Sequence, residues 1–265
     1  MSLKALSMTY SSRIANAKAS IQKGVAVLHV GCGDGYLDPY LCTRFRKVVG
    51  VDINFVELQA AAMSRGVETA EYVLIDGLGL PFESETFDAI VSVDVLEHAE
   101  DDIALVREMS RVLKRGGLLS MTVPNANYPP TFDPVNYILE LTTGRHLSFG
   151  MWGFGHRRLY EVESLCQLLQ EVGLRTRGVT RMSYSLVGLI ENAYLLNLVQ
   201  PLTKSSASNR PLGLDAESRG LWRTLGRMEP PAFLETVRDS LVRLDQHLFG
   251  RSVRSVNFLV SAQKT

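Results

Sequence analysis

Three glycines and an acid follow a short apolar run near the start of the chain. The run is Val25–Val30, and the segment after it reads Gly31-Cys32-Gly33-Asp34-Gly35. Glycines directly after a strand let the backbone turn tightly and approach a ligand, because no Cβ stands in the way. A dinucleotide loop, GxGxxG, would need its last glycine at Tyr36, and no GKS or GKT marks a P-loop. The GxGxG spacing therefore indicates another ligand loop or an ordinary strand-to-helix turn.

Acidic residues close the apolar runs that come next. Asp52 ends the second run, and Asp76 follows the third. An acid in the place of Asp52 can accept hydrogen bonds from both ribose hydroxyls of a nucleoside, and Asp76 can accept one from an adenine amino group. The alternatives stay open, since Asp52 can be a turn acid that caps the next helix through Asn54, and Asp76 a turn acid before Gly77.

Elements that alternate between strand and helix must position these residues. Strands are predicted over 25–30, 48–52, 72–75, 87–93 and 118–123, and helices over 11–23, 36–46, 55–65 and 101–113. Lys114-Arg115-Gly116-Gly117 is typical of a helix C-terminus. This alternation predicts an α/β fold with a parallel sheet and right-handed crossovers, whose ligands bind at the carboxyl ends of the strands. Gly31, Asp52, Asp76 and Asp94 are therefore expected at one edge of the sheet.

Four stretches of the sequence resemble the class I S-adenosylmethionine (SAM) dependent methyltransferases. They are VLHVGCGDGYL (27–37), VVGVDIN (48–54), IDGLGLPFESETFDAIVSVDVLEH (75–98) and LVREMSRVLKRGGLLSMTVPN (105–125). The likeness is closest to the small-molecule branch with the ubiquinone-type (type 11) enzymes, and it resumes over 155–174. It implies a Rossmann-like, doubly wound sheet of seven strands, mostly parallel with an antiparallel last strand.

The resemblance also implies a role for each matching residue. Gly31, Gly33 and Gly35 would pass the methionine part of SAM, with Cys32 and Asp34 in the same loop. Asp52 would hold the ribose, and Ile53 would line the adenine. Asp76 would bind the adenine amino group beside Gly77. Asp94 would lie near the amino-acid end of SAM, with Val95 at the pocket wall.

The second half of the chain departs from this pattern. We expect a single domain over 1–265, with a long loop at 124–156 acting as a lid. A helix is predicted over 161–171, and strands over 174–179 and 253–262. The connection between them, 182–250, is much longer than in typical members and predicts a helical insertion before the last strand. Within it, helices are expected over 186–199 and 233–248, with a loop over 204–211.

Aromatic residues and histidines of the lid are the candidates for the acceptor side. Tyr128, Phe132, Trp152 and Phe154 can wall an apolar or aromatic acceptor, or simply pack the lid. His156 and His98 are candidate general bases. His156 follows the lid, where related sequences often have a histidine. His98 precedes a helix and can equally be a helix-start or packing residue.

Composition excludes several other classes of protein. Lys+Arg and Asp+Glu both number 28, so no basic footprint indicates a nucleic-acid partner. The three cysteines form no CxxC pair, and no set of residues shows metal-ligand spacing, so we expect no metal. The apolar stretch 183–199 is short for a membrane span, and it predicts burial, peripheral membrane contact or a homodimer interface. A cytoplasmic protein is the expectation.

These features together predict an enzyme that moves a methyl group from SAM to a small-molecule acceptor and releases S-adenosylhomocysteine. The acceptor is apolar, aromatic or lipid-linked if the lid aromatics contact it. The first alternative is a SAM-binding regulatory or scaffold protein without catalysis. The second is an NAD-dependent enzyme, which Tyr36 disfavours.

Overall fold

The computed structural model describes residues 7–64, 66–77, 79–191 and 232–265. These fall into two compact units. The sheet unit consists of residues 13–126, 157–181 and 257–265, and the helical unit consists of 7–12, 127–156 and the described part of 182–256. The prediction of one domain over the whole chain stays a prediction.

Seven strands form the single sheet of the sheet unit, in the order β3-β2-β1-β4-β5-β7-β6. Their bounds are β1 Gly24–Val30, β2 Phe45–Asp52, β3 Ala70–Leu74, β4 Phe87–Val93, β5 Leu113–Pro124, β6 Leu174–Met182 and β7 Asn257–Lys264. The pairs β1–β2, β2–β3, β1–β4 and β4–β5 are parallel, and β5–β7 is antiparallel. The predicted mostly parallel sheet with an antiparallel last strand is confirmed.

Strand order reverses between β1 and β4, because the chain builds outward from β1 to β3 and then returns to pair β4 with β1. Crevices at such a switch point open at the carboxyl ends of the strands. The central strands β1, β2 and β4 have mostly buried residues, as their short apolar stretches predict. This apolar centre fixes where each strand ends and therefore where each polar residue after it lies.

Eight α-helices are present in the part of the chain that the structure describes. They are α1 Met8–Ser20, α2 Asp38–Cys42, α3 Phe55–Ala62, α4 Asp102–Val112, α5 Pro134–Thr143, α6 Val162–Glu171, α7 Ser185–Ile190 and α8 Ala232–Phe249. The side chains of Asn54 and Asp101 cap α3 and α4 by accepting backbone N–H bonds. The apolar face of α4 buries Val106, Met109 and Val112, as the helical period predicts.

Two predicted boundaries inside the sheet unit were wrong. The helix expected over 36–46 is only the short α2, and β2 already begins at Phe45, whose buried ring belongs to the core. Lys114–Gly117 does not end a helix, because β5 begins at Leu113. Lys114 instead reaches Asp88 at 2.8 Å, and Gly116 takes a φ of 74° at the irregular start of the β4–β5 pairing.

The segment 124–156 was predicted as a long loop, but it contains α5 and a short 3₁₀ helix, Gly150–Phe154. The side chain of Asp133 caps α5, and Pro134 fits the first helical turn because its missing N–H is not needed there. The carboxylate of Asp133 also accepts from the Met151 N–H at 2.6 Å. This buried carboxylate therefore ties both helical pieces of the segment together.

The described part of the insertion is helical, as predicted. Helix α8 matches the expectation for 233–248, and α7 matches the start of 186–199. Asp245 on α8 is buried and accepts from the backbone N–H groups of Tyr184 and Leu186 at 2.5 and 2.9 Å. The rest of 186–199 and the loop expected at 204–211 lie outside the described residues. None of the helices described has the length and apolar character needed to cross a bilayer.

Candidate cofactor-binding site

The glycine loop leaves β1 with three residues in the left-handed region. The φ values are 67° at Gly31, 52° at Gly33 and 72° at Gly35, a conformation that costs other residues roughly 1–2 kcal/mol. A Cβ on Gly31 would overlap the side chain of Val95. Around Gly33, no atom of the described residues lies within 4 Å of the place that a Cβ would take. The loop is therefore packed at Gly31 and leaves its backbone accessible at Gly33.

Asp52 joins this loop to the end of β2. Its Oδ2 accepts from the Gly33 N–H at 2.8 Å, and its Oδ1 accepts from the Asn54 N–H at 2.9 Å. A carboxylate offers about four lone-pair sites, so these two bonds leave sites for further donors. Helix α3 is capped by Asn54 itself, through the Val56 N–H at 3.0 Å. The carboxylate of Asp52 is thus held in place by the loop and can still accept hydroxyl donors.

Apolar and acidic residues lie beside Asp52 at the ends of β2 and β3. Ile53 keeps 70% of its surface exposed. Gly77 has a φ of 83°, and a Cβ on it would lie 3.6 Å from Cγ2 of Ile53. Asp76 is exposed in the same turn. Ile53, Asp76 and Gly77 therefore form one surface with an apolar wall and an acid, which fits a purine ring with an amino group.

Asp94 follows β4 in the left-handed region, with a φ of 54°. Such a conformation is uncommon outside glycine and often marks a functional position. Its N–H donates to the Thr122 carbonyl at 3.1 Å, and its Oδ1 accepts from the Thr122 hydroxyl at 2.9 Å. Its Oδ2 pairs with a guanidinium nitrogen of Arg13 from α1. The bonds to Thr122 therefore hold Asp94 against β5, and the guanidinium of Arg13 lies beside its carboxylate.

Sequence reasoning missed Arg13 and Glu97. Arg13 stood in a predicted polar helix, and nothing in its spacing connected it with Asp94, 81 residues away. Glu97 lies in the 3₁₀ helix Leu96–His98 and is fully buried. Burial, followed by the charge of Asp94, raises the pKa of Glu97 well above its ordinary range. The edge near Asp94 thus combines a guanidinium, a carboxylate and a second acid that tends to keep its proton.

All eleven positions predicted to contact a cofactor lie at the carboxyl ends of strands in the sheet unit. They are Gly31, Cys32, Gly33, Asp34, Gly35, Asp52, Ile53, Asp76, Gly77, Asp94 and Val95. Direct contacts join the loop to Asp52 and to Val95. The resulting edge offers an open backbone loop, a carboxylate with free accepting sites, an apolar surface beside an acid, and an ion pair. These features are compatible with a nucleoside that bears an amino-acid tail.

Comparison with known proteins agrees with this geometry. Residues 28–121 match the family model described as a methyltransferase domain. The chain is also 28% identical over 170 residues to a ubiquinone biosynthesis O-methyltransferase of Aliivibrio fischeri, which covers 61% of this chain and 69% of that protein. These matches show a SAM-dependent methyltransferase with a methyltransferase domain over residues 28–121.

Solved methyltransferase structures share the fold of this SAM-dependent methyltransferase. One, from Mesorhizobium loti, has a TM-score of 0.55 at 18% identity and covers 94% of this chain and 96% of its own. Another, the geranyl diphosphate C-methyltransferase of Streptomyces coelicolor, has a TM-score of 0.55 at 15% identity and covers 97% and 78%. Its structure contains Mg²⁺, geranyl diphosphate and S-adenosylhomocysteine. At these identities the likeness establishes the fold.

The residues predicted on the acceptor side belong mostly to the helical unit of this methyltransferase. Tyr128 and Phe132 are buried there, whereas Trp152 and Phe154 are partly exposed. Glu140 on α5 accepts from the Tyr128 hydroxyl at 3.0 Å and from the Trp152 indole N–H at 2.7 Å. One carboxylate therefore satisfies the polar groups of two predicted acceptor residues, of which only Trp152 keeps part of its ring exposed.

The candidate bases lie in different surroundings. His98 is exposed at the end of its 3₁₀ helix in the sheet unit. His156 is half-buried in the helical unit, and its ring centroid lies 5.6 Å from that of Phe154. His146 stacks on Trp152 with ring centroids 3.8 Å apart, so its ring packs within the segment 124–156. The assignment of a base to either His98 or His156 stays a prediction.

Proposed function

We propose that this methyltransferase holds SAM across the carboxyl ends of β1, β2, β3 and β4 and transfers its methyl group to a small-molecule acceptor. The observation that carries the proposal is the pair formed by Asp52 and the Gly33 N–H. It fixes a carboxylate beside an open glycine backbone, with accepting sites left for the two ribose hydroxyls. Tyr36 stands where the NAD-type loop requires glycine, which favours SAM over a dinucleotide.

The adenosyl and amino-acid ends of SAM have separate partners in this proposal. Ile53 and Gly77 give the adenine an apolar surface, and Asp76 accepts from its amino group. At the other end, Asp94 fits the ammonium group of the amino acid. Arg13, which pairs with Asp94, fits its carboxylate, because a guanidinium binds carboxylates through parallel N–H bonds.

Bound SAM supplies an activated methyl group on a sulfonium centre, so the chain's own residues have to bind, orient and exclude water. Fixing two reactants in line accounts for much of the acceleration of such a reaction, roughly 7–11 kcal/mol for a well-aligned pair. A general base adds to this when the acceptor is a weakly acidic hydroxyl. We assign that role to His156, with His98 as the second candidate.

The acceptor class follows from the chemistry of the helical unit and from the relatives. Trp152 and Phe154 are partly exposed and offer apolar ring surfaces, and Glu140 uses the indole N–H of Trp152. Tyr128 and Phe132 are buried and pack the helical unit behind them. The Aliivibrio fischeri relative is an O-methyltransferase of ubiquinone biosynthesis. We therefore propose an apolar acceptor, aromatic or lipid-linked, that presents a hydroxyl group.

A by-product assay for S-adenosylhomocysteine tests this function. The protein is incubated with SAM and a panel of quinols, phenols, lipids and sugars, with Asp52→Ala as the matched inactive control. We expect product with a phenol or quinol and none with the control variant. Product formed only with sugars would contradict the apolar acceptor. Binding of SAM without turnover on any acceptor would favour a regulatory protein.

A further inference from the structure

A buried carboxylate lies directly behind the glycine loop. Asp38 begins α2 and is fully buried, with no exposed surface. Its Oδ1 lies 2.5 Å from Nδ1 of His29 on β1, and its Oδ2 accepts from the Tyr72 hydroxyl on β3 at 2.9 Å. Since a carboxylate only accepts, Nδ1 of His29 carries the proton of the first bond. One side chain thus bonds to two strands that are not neighbours.

The strand between them makes this bridge possible. His29 of β1 is in register with Gly50 of β2, and Gly50 is in register with Tyr72 of β3. A Cβ on Gly50 would lie 2.8 Å from the Cys32 sulfur and 2.8 Å from the Tyr72 ring. The missing side chain therefore leaves space across β2 for this polar cluster. Gly50 precedes Asp52 by two residues, so the cluster lies directly behind the strand end that bears the ribose-binding acid.

Asp38 also contacts the loop itself. Its N–H donates to the Gly35 carbonyl at 3.0 Å, and its Oδ2 would lie 3.0 Å from a Cβ on Gly35. Cys32 of the loop is buried beside the cluster, and burial, followed by the charge of Asp38, raises the pKa of its thiol. Burial and Asp38 also raise the pKa of the Tyr72 phenol. Cys32 and Tyr72 therefore stay neutral around the Asp38 carboxylate.

A buried carboxylate is costly unless its bonds are satisfied, so it tolerates few arrangements of its partners. Here those partners are the strands that lead into the glycine loop and into Asp52. We propose that Asp38, His29 and Tyr72 form a positioning clamp, which fixes the glycine loop against Asp52 and thereby sets the affinity for the cofactor. This inference rests on the proposed SAM site and adds residues that do not themselves touch the cofactor.

A second carboxylate provides a matched control. Asp88 on β4 accepts from the N–H groups of Val25 and Ala26 at 3.0 and 2.8 Å. It therefore holds the amino end of β1, as Asp38 holds the carboxyl end. Loss of either carboxylate loosens the same strand, but only the loss of Asp38 disturbs the loop.

Calorimetric titration with S-adenosylhomocysteine, paired with thermal unfolding, tests the clamp on Asp38→Asn, Tyr72→Phe and Asp88→Asn. We expect Kd to rise about tenfold for Asp38→Asn and about threefold for Tyr72→Phe, the range of one or two buried hydrogen bonds. Asp88→Asn should lower the unfolding temperature while its Kd stays within about twofold of the wild type. If Asp38→Asn does not fold, Tyr72→Phe decides the question.

The outcomes separate the clamp from the proposed function. An unchanged Kd in folded Asp38→Asn and Tyr72→Phe would overturn the clamp, even if both variants unfold at lower temperature. An equal rise in Kd for Asp88→Asn would overturn it as well, because the effect would then be general loosening of β1. Failure of the wild type to bind S-adenosylhomocysteine would instead contradict the proposed function.

Discussion

The acids at the strand ends of the sheet unit and the buried acids of the helical unit have opposite surroundings. In the sheet unit, apolar strands set the positions, and the acids Asp52, Asp76 and Asp94 stand at the strand ends where a ligand can reach them. In the helical unit, the acids Asp133 and Asp245 are buried and accept from backbone N–H groups of other segments. We propose that the sheet unit binds its ligand through these strand-end acids, whereas Asp133 and Asp245 hold segments of the helical unit together, as Asp38 does inside the sheet unit.

We expect the largest loss of SAM affinity when Asp52 is substituted. Asp52→Ala removes the proposed acceptor of two ribose hydroxyls and also the bond to the Gly33 N–H. We expect SAM to bind about a thousandfold more weakly, since hydrogen bonds to a charged group contribute roughly 1.5–3 kcal/mol each. Equilibrium binding of labelled SAM measures this. A variant that binds within threefold of the wild type would remove Asp52 from the site.

His156→Ala tests whether the helical unit supplies a catalytic group. If His156 is the general base, kcat falls by about a hundredfold or more, while the Kd of SAM stays unchanged. Steady-state kinetics with a phenolic acceptor, together with SAM titration, measure both quantities. Full turnover with unchanged SAM binding would exclude the role, and the same pair of measurements on His98→Ala would then test the second candidate.

Arg13→Met is expected to have a smaller effect. It keeps the length of the aliphatic side chain but removes the proposed partner of the SAM carboxylate, so the Kd of SAM should rise about tenfold. Adenosine has no amino-acid end, and its affinity should hardly change in the variant. Competition binding of SAM and adenosine therefore isolates the affinity that the amino-acid end of SAM contributes. Equal weakening of both ligands would mean that Arg13 supports the fold and does not contact the tail.

The smallest expected effect is a change in the pH dependence of stability when Glu97 is substituted. Burial and Asp94 raise the pKa of Glu97 in the folded protein above its ordinary value of 4.5. The folded state then binds more protons than the unfolded state above about pH 4.5, so this residue lowers stability as pH rises. Glu97→Gln should therefore make the unfolding free energy fall less steeply as the pH rises above about 4.5. Denaturant unfolding at several pH values measures the slope, and parallel profiles for the two proteins would argue against the shift.

Most of the sheet unit could be predicted from local sequence. Val25–Val30 and Phe87–Val93 are short, mostly apolar runs, and each is followed by residues that match the family pattern. The loop Gly31–Gly35 and Asp52 follow from these strand ends, because the ends of parallel strands meet at one edge. The number of strands and the antiparallel last strand came from the family resemblance and not from periodicity, and the order of the strands was not predicted.

The other contacts of the site could not be predicted, because they join side chains far apart in the sequence and no local pattern marks them. Arg13 meets Asp94 across 81 positions, and Asp38 bridges His29 and Tyr72 only because Gly50 lies between their strands. Helix α5 is different, since Asp133-Pro134 is a start signal that the sequence did contain. It was overlooked among the Pro, Gly and aromatic residues of the segment around it.

Hydrogen exchange with and without S-adenosylhomocysteine tests the central claim most directly, since it reports on every strand end in one experiment. The account predicts slower exchange in peptides that contain 31–35, 52–54, 76–77 and 94–95, with no change at the amino end of β1 around Val25. Protection confined to the amino ends of the strands, or absent from the glycine loop and Asp52, would contradict it.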